Sequence, residues 1–148
     1  MLLRSIELHN FRQFINEKID FSTDPDQNVT LVIGDNGTGK TTFAQAFTWC
    51  LYGETDFSNK TMLNRIVAET MTPDQKATVK VVLALTHGDA DYEIIRTQEY
   101  KKSYSNKVTG ANTVLNISRK NKNGNTKYLK PNECEFEIKK IIPKELAG

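Results

Sequence analysis

One stretch constrains this chain more than any other: "VTLVIGDNGTGKTTFAQAF", residues 29–47. It opens as a continuous β-branched and aliphatic run, "VTLVI", the pattern of a strand buried on both faces. The run stops at Gly34, and three glycines fall within six residues before Lys40, Thr41 and Thr42. Beyond them Phe43, Ala46, Phe47 and Leu51 recur at helical spacing as one apolar stripe. Gly53 is placed to stop that helix. Strand, glycine loop, helix is therefore the expected local order.

Residues Gly34 to Thr41 fit the pattern G-x-x-x-x-G-K-[ST]. With glycine near 7% of ordinary composition, the fixed positions would coincide by chance in well under about 1% of chains this long. Glycines let a backbone approach an anion where a Cβ would collide. The loop N–H groups then converge as an anion nest, and the helix N-terminus adds its unpaired N–H groups and positive dipole end. Lys40 supplies a point charge for β- and γ-phosphates, Thr41 a hydroxyl for Mg²⁺, and Thr42 a hydroxyl within reach of an α-phosphate. The bland alternative is a glycine-rich turn with an exposed lysine. A phosphate loop alone specifies no reaction, because kinases, GTPases and ATPases share it.

The surroundings narrow the choice. "SIELHNF" (5–11) carries Ile6 and Leu8 at period two and reads as a strand; "FINEKIDF" (14–21) reads as a second, with Ile15, Ile19 and Phe21 on one face. "STDPDQN" (22–28) is turn chemistry. After the loop helix, 60–70 suggests a shorter helix. Then "ATVKVVLALTH" (77–87) places Val79, Val81, Leu83 and Leu85 on one face, "HGDAD" is a hairpin turn, and 92–102 and 112–120 read as further strands, the last with Leu115 and Ile117 together. The links "SYSNKVTGA" and "NKNGNT" are expected to be polar and mobile. After Pro131, Cys134, Ile138, Ile141 and Ile142 fall at helical spacing, with acids early and lysines late, as a helix dipole favours. Two strands before the loop and a strand-rich second half argue against a small-molecule or nucleotide kinase, which remains the alternative enzyme class.

The 148 residues suffice for one domain with a real core, and 38% hydrophobic with 26% charged residues fits a soluble chain. No apolar run approaches the roughly 18 residues of a membrane span. Arg4 and Glu7 interrupt the N-terminal apolar pattern, so it is not a signal peptide. Cys50 and Cys134 stand apart, as reduced thiols in a cytoplasmic protein would. His9 and His87 are single and read as structural or surface residues, Phe47 and Trp49 as core. The net charge of +2 conceals a gradient: −5 over residues 1–95, +8 over 96–130 and −1 over 131–148.

"IELHNFRQF", "IDFS", "GDNGTGKTT" with Asn36 before Gly37, and "AFTWCLYGE" together resemble the SMC-like ABC ATPases. That family includes the double-strand-break-repair ATPase that partners a nuclease, RecF, RecN and the DndD proteins of DNA sulfur modification. The likeness is good over residues 1 to about 55 and looser from 77 to 120. It implies an α/β P-loop NTPase fold, an ABC-ATPase-like N-terminal lobe with a mixed sheet and an antiparallel β-subdomain. The expected division is a P-loop lobe over 1–75, and a β-meander with a terminal helix over 76–148. It implies ATP and Mg²⁺ as ligands, bound by Arg12, Asn36, Gly37, Thr38, Gly39, Lys40, Thr41 and Thr42, with Thr41 on the metal and Arg12 linking nucleotide to DNA. A solvated loop arginine is the alternative for Arg12.

The same resemblance implies a function in DNA repair, DNA modification or phage defence, with ATP clamping two heads as a homodimer and hydrolysis releasing them. Partners would be double-stranded DNA and a nuclease or modification protein. Hydrolysis in such heads needs an acidic strand end, a catalytic Glu and a serine-rich signature motif, none of which is found in these residues. Neither Asp35, Glu54 nor Asp56 follows a second hydrophobic strand, so none is assigned as the base. The chain is therefore expected to be the N-terminal part of a longer ATPase, binding nucleotide without turning it over alone. For the basic segment the functional reading is phosphate contact through Lys101, Lys102, Arg119 and Lys120. Its alternative is a solvated hairpin whose lysines protect strand edges.

Overall fold

A computed structural model describes residues 2–21, 38–53 and 61–141, the side chains of 38–41 and 141 excepted. Seven strands and three helices are found there: β1 Leu2–Phe11, β2 Phe14–Asp20, α1 Thr38–Tyr52, α2 Arg65–Thr70, β3 Lys76–His87, β4 Ala90–Lys102, β5 Val108–Gly110, β6 Val114–Lys120, β7 Thr126–Tyr128 and α3 Pro131–Ile141. The strand expected at 29–33, the turn before it and the loop residues Gly34 to Gly37 lie outside the described residues.

The strands form one sheet in the order β2-β1-β3-β4-β6-β7, with β5 also paired to β4. Every described pairing is antiparallel. The sheet crosses the expected division at residues 75 and 76, because β1 pairs with β3 from Leu2↔Thr86 to His9↔Lys80. The first two strands thus share a layer with the meander.

The period-two patterns explain the inner face. Val79, Val81, Leu83 and Leu85 of β3 are all fully buried, and Ile6 and Leu8 of β1 lie opposite Leu83 and Val81. Two irregularities bring in residues that alternation would leave outside. A bulge between Leu3 and Ser5 turns Leu3 inward beside Ile6. Left-handed Asn10 (φ 56) breaks the pleat again, and Phe11 enters the core against Trp49 of α1, 5.5 Å between ring centroids. Phe14 meets Phe43 at 4.9 Å, while Ile15, expected on the apolar face, is 45% exposed.

α1 is buried on several sides against this face, through Phe43, Ala46, Trp49, Cys50 and Leu51. α2 opens on Asn64, whose side-chain oxygen accepts from Val67 N. α3 buries Cys134, Glu137 and Ile138, and carries Glu133 in its first turn with Lys139 and Lys140 in its last. The two polar links are more ordered than their composition suggests: the first contains β5, and the second turns tightly, with Asn121 N donating to Asn125 O at 3.0 Å before β7. No helix of the described residues is long and apolar enough to cross a membrane.

Candidate functional site

α1 begins at Thr38, so Thr38, Gly39, Lys40 and Thr41 form its first turn. The first four N–H groups of a helix have no intrahelical acceptor. No acidic residue stands in that turn, so no carboxylate of the turn opposes an anion at the positive end of the 15-residue helix dipole. Asn36 and Gly37 lie outside the described residues.

Thr42 follows, 5% exposed, and its hydroxyl donates to Gln13 Oε1 at 2.9 Å. Gln13 sits with Arg12 in the β1–β2 turn. The structure therefore brings Arg12 and Thr42 to one end of α1, with Gln13 between them. Sequence reasoning passed over Gln13, and only its place beside Arg12 could have marked it.

Arg12 adopts φ 53, a left-handed backbone that costs a non-glycine residue roughly 1–3 kcal/mol. Three hydrogen bonds hold it there. Arg12 N donates to Met62 O at 2.8 Å, its Nη1 donates to Thr61 O at 2.9 Å, and its carbonyl accepts from Asn64 Nδ2 at 2.8 Å. Tyr100 fixes the same segment, its hydroxyl accepting from Met62 N at 3.0 Å and donating to Gln98 Oε1 at 2.9 Å. The strained turn is thus tied to the segment that leads into α2.

The far end of α1 is held by a residue that the sequence did not single out. Arg96 of β4, 8% exposed, donates from Nε to Cys50 O at 3.0 Å, from Nη2 to Leu51 O at 3.4 Å and from Nη1 to Thr113 Oγ1 at 2.7 Å. α1 has no basic residue in its own last turn, so the sheet supplies the cation. A cation there is worth about 0.3–2 kcal/mol against the helix dipole. Burial pulls the guanidinium below its usual range, while Cys50 opposes that pull. Gly53 closes the helix at φ 72, and its N donates to Trp49 O at 2.7 Å.

The four basic residues expected to meet DNA separate. Lys102 is 7% exposed and its Nζ donates to Ala68 O at 2.7 Å, at the C-terminal end of α2. It is a buried helix cap, which corrects its expected place on a DNA-facing surface. Arg119 faces inward and pairs with Glu137 of α3 at 3.4 Å, where Glu137 also accepts from Tyr92 Oη at 2.9 Å. Lys101 is exposed and pairs with Asp74 at 3.6 Å; Lys120 is exposed opposite Asp91.

Comparison with known proteins adds three findings. The family model AAA_23, an AAA domain, matches residues 5–146. The DNA double-strand break repair Rad50 ATPase of Methanocaldococcus jannaschii is 26% identical over 127 residues, covering 78% of this chain and 11% of that protein. The SbcC component of the nuclease SbcCD from Staphylococcus aureus (strain JH9) is 39% identical over 49 residues, covering 33% of this chain and 5% of that protein. The chain thus spans at most about a tenth of the length of these relatives.

Proposed function

The chain belongs to the AAA domain family AAA_23 and is part of an SMC-like ABC ATPase head with a P-loop NTPase fold, and from that premise we propose that it is the ATP-binding portion of a DNA-processing ATPase. The observation that carries the reading is the placement of the G-x-x-x-x-G-K-[ST] motif, whose last four residues form the acid-free first turn of α1. Those backbone N–H groups fit a polyphosphate, and ATP with Mg²⁺ is the ligand proposed. Lys40 would neutralise the β- and γ-phosphates, Thr41 would coordinate Mg²⁺, and Thr42 would turn its hydroxyl toward the α-phosphate. Asn36, Gly37, Thr38 and Gly39 would complete the cradle. Arg12 would bring its cation to the same end of α1.

Residues 1–148 are proposed as the N-terminal part of a head, in which two heads close on ATP and reopen on hydrolysis. The acid and the catalytic Glu for that hydrolysis would come from elsewhere in the full-length protein. Double-stranded DNA, a second head and a nuclease or modification partner are proposed on the names of the relatives and on the motif pattern, with a cytoplasmic setting. Repair, modification and phage defence are the settings proposed.

Calorimetric titration of ATP with Mg²⁺ tests the reading. The chain is expected to bind, and Lys40→Ala to weaken binding tenfold or more, since a charge-assisted contact is worth about 1.5–3 kcal/mol. Equal affinity in the variant would refute the phosphate assignment. Turnover by these residues alone, abolished by Lys40→Ala, would refute the division of catalytic parts.

A further inference from the structure

β4 carries two buried cations on its inner face, and each ends on a helix C-terminus: Lys102 on α2 and Arg96 on α1. Arg96 is the more tightly committed. Its partners are two carbonyls and a hydroxyl rather than a carboxylate. Gly53 leaves room for it, because a Cβ there would lie 3.1 Å from Arg96 Nη1. The guanidinium plane is fixed from both sides, by the helix end and by Thr113 in the link between β5 and β6.

A helix is a stiff rod rising about 1.5 Å per residue, so a displacement at one end appears at the other. α1 is tied at both ends, near its start by Thr42 to Gln13 and at its finish by Arg96. We propose that Arg96 is a positioning residue for nucleotide binding: it fixes α1 along its axis and so sets where the phosphate-facing first turn stands against the β1–β2 turn. This rests on the reading that the first turn takes a nucleotide. Arg96 touches no phosphate itself. Its fork matters as well as its charge, because a lysine cannot hold two carbonyls and a hydroxyl in one plane.

Arg96→Met, Arg96→Lys and Thr113→Val are compared in this chain, with Ile117→Val as a core control of reduced stability that leaves both α1 ties in place. Two readouts are taken: the ATP–Mg²⁺ dissociation constant, and amide exchange along α1. A substitution that acts on a binding site through intervening packed structure changes affinity by roughly 2- to 30-fold, and Arg96→Met is expected to weaken nucleotide about tenfold. Arg96→Lys and Thr113→Val should fall between it and wild type, with the control within about twofold. Exchange should quicken at Ala46 and Phe47 as well as at Cys50 and Leu51. Wild-type affinity in Arg96→Met, or faster exchange confined to the last turn, overturns the proposal. Thr113→Val removes one contact and leaves the helix end capped, so it decides the matter if Arg96→Met does not fold. A wild-type chain that binds no nucleotide refutes the phosphate reading and, with it, the role of Arg96 in binding; the exchange profile then separates an anchor of the whole helix from a local cap.

Discussion

Cys50 lies in the core, fully buried, its Sγ 3.6 Å from Val81 O and 3.5 Å from Ile94 O. Burial pushes its thiol up to about 12 from an ordinary 9.0, against the opposing pull of Arg96. Between those values the native thiol keeps a proton that the unfolded chain has released. Stability is therefore unaffected by this group below about pH 9 and falls as pH rises toward 12. Tyr92 and Tyr100, raised chiefly by burial, act in the same direction. Denaturant midpoints at about pH 8 and about pH 10.5 should show an alkaline loss that is smaller in Cys50→Ala than in wild type. An identical loss in both would remove Cys50 as a source. At this scale the sequence marks Cys50 as an isolated thiol and nothing more. Its environment comes from β3 and β4, which are 31 and 44 residues away. Arg12 shows the opposite limit: its position before the loop is legible, but its left-handed backbone is not, because that depends on Thr61, Met62 and Asn64.

Elements with a strong period were legible and those without one were not. β3 carries four alternating apolar residues that all reach the core, and α3 carries its charges in the order its dipole favours. β5 and β7 have three residues each, too few to show a period; β5 lies inside a segment that read as a mobile link, and β7 begins on the last residue of the other, Thr126. β5 depends on a local fit instead. Gly110 pairs with Tyr100, and a Cβ there would meet Gln98 Nε2 at 2.7 Å and Tyr100 Cε1 at 2.9 Å. The Tyr100 ring is held by its hydroxyl bonds to Met62 N and Gln98, so it cannot swing aside without loosening the segment that supports Arg12. Gly110→Ala is accordingly expected to cost about 1–3 kcal/mol, the usual penalty of overpacking. Urea unfolding measures it, and an unchanged midpoint would show that β5 simply moves away. Within the candidate site, the helix start was legible from the motif to within one residue, Gly39 from the sequence against Thr38 in the structure, whereas the Arg96 cap was not, since nothing in a strand sequence tells which helix end lies beneath it.

Across the whole molecule, charge that is concentrated in the chain is dispersed in space. The stretch from 96 to 130 carries +8, yet its cations meet acids drawn from both flanks: Lys101 with Asp74, Lys122 with Asp89, Lys127 with Glu133 and Arg119 with Glu137. Arg96 and Lys102 are committed to helix ends. The strand pleat alone could have warned of this. Lys101–Lys102 and Arg119–Lys120 are adjacent pairs, and neighbours in a strand point to opposite faces. Only one member of each pair, Lys101 and Lys120, is exposed on the outer face. Exposed ion pairs are individually weak, but they lower the field that a polyanion meets. A duplex bound through this surface alone should therefore release few counterions. Fluorescence titration of a short DNA duplex at increasing salt is expected to give a log–log slope shallower than about −3, where neutralising eight phosphates would give about −7. Lys101→Glu with Lys120→Glu should weaken that binding without altering the fold. Lys102→Glu should instead destabilise the chain, because it places a carboxylate against the carbonyls of Ala68 and Glu69. A steep slope that survives reversal of Lys101 and Lys120 would move the DNA surface to another part of the molecule.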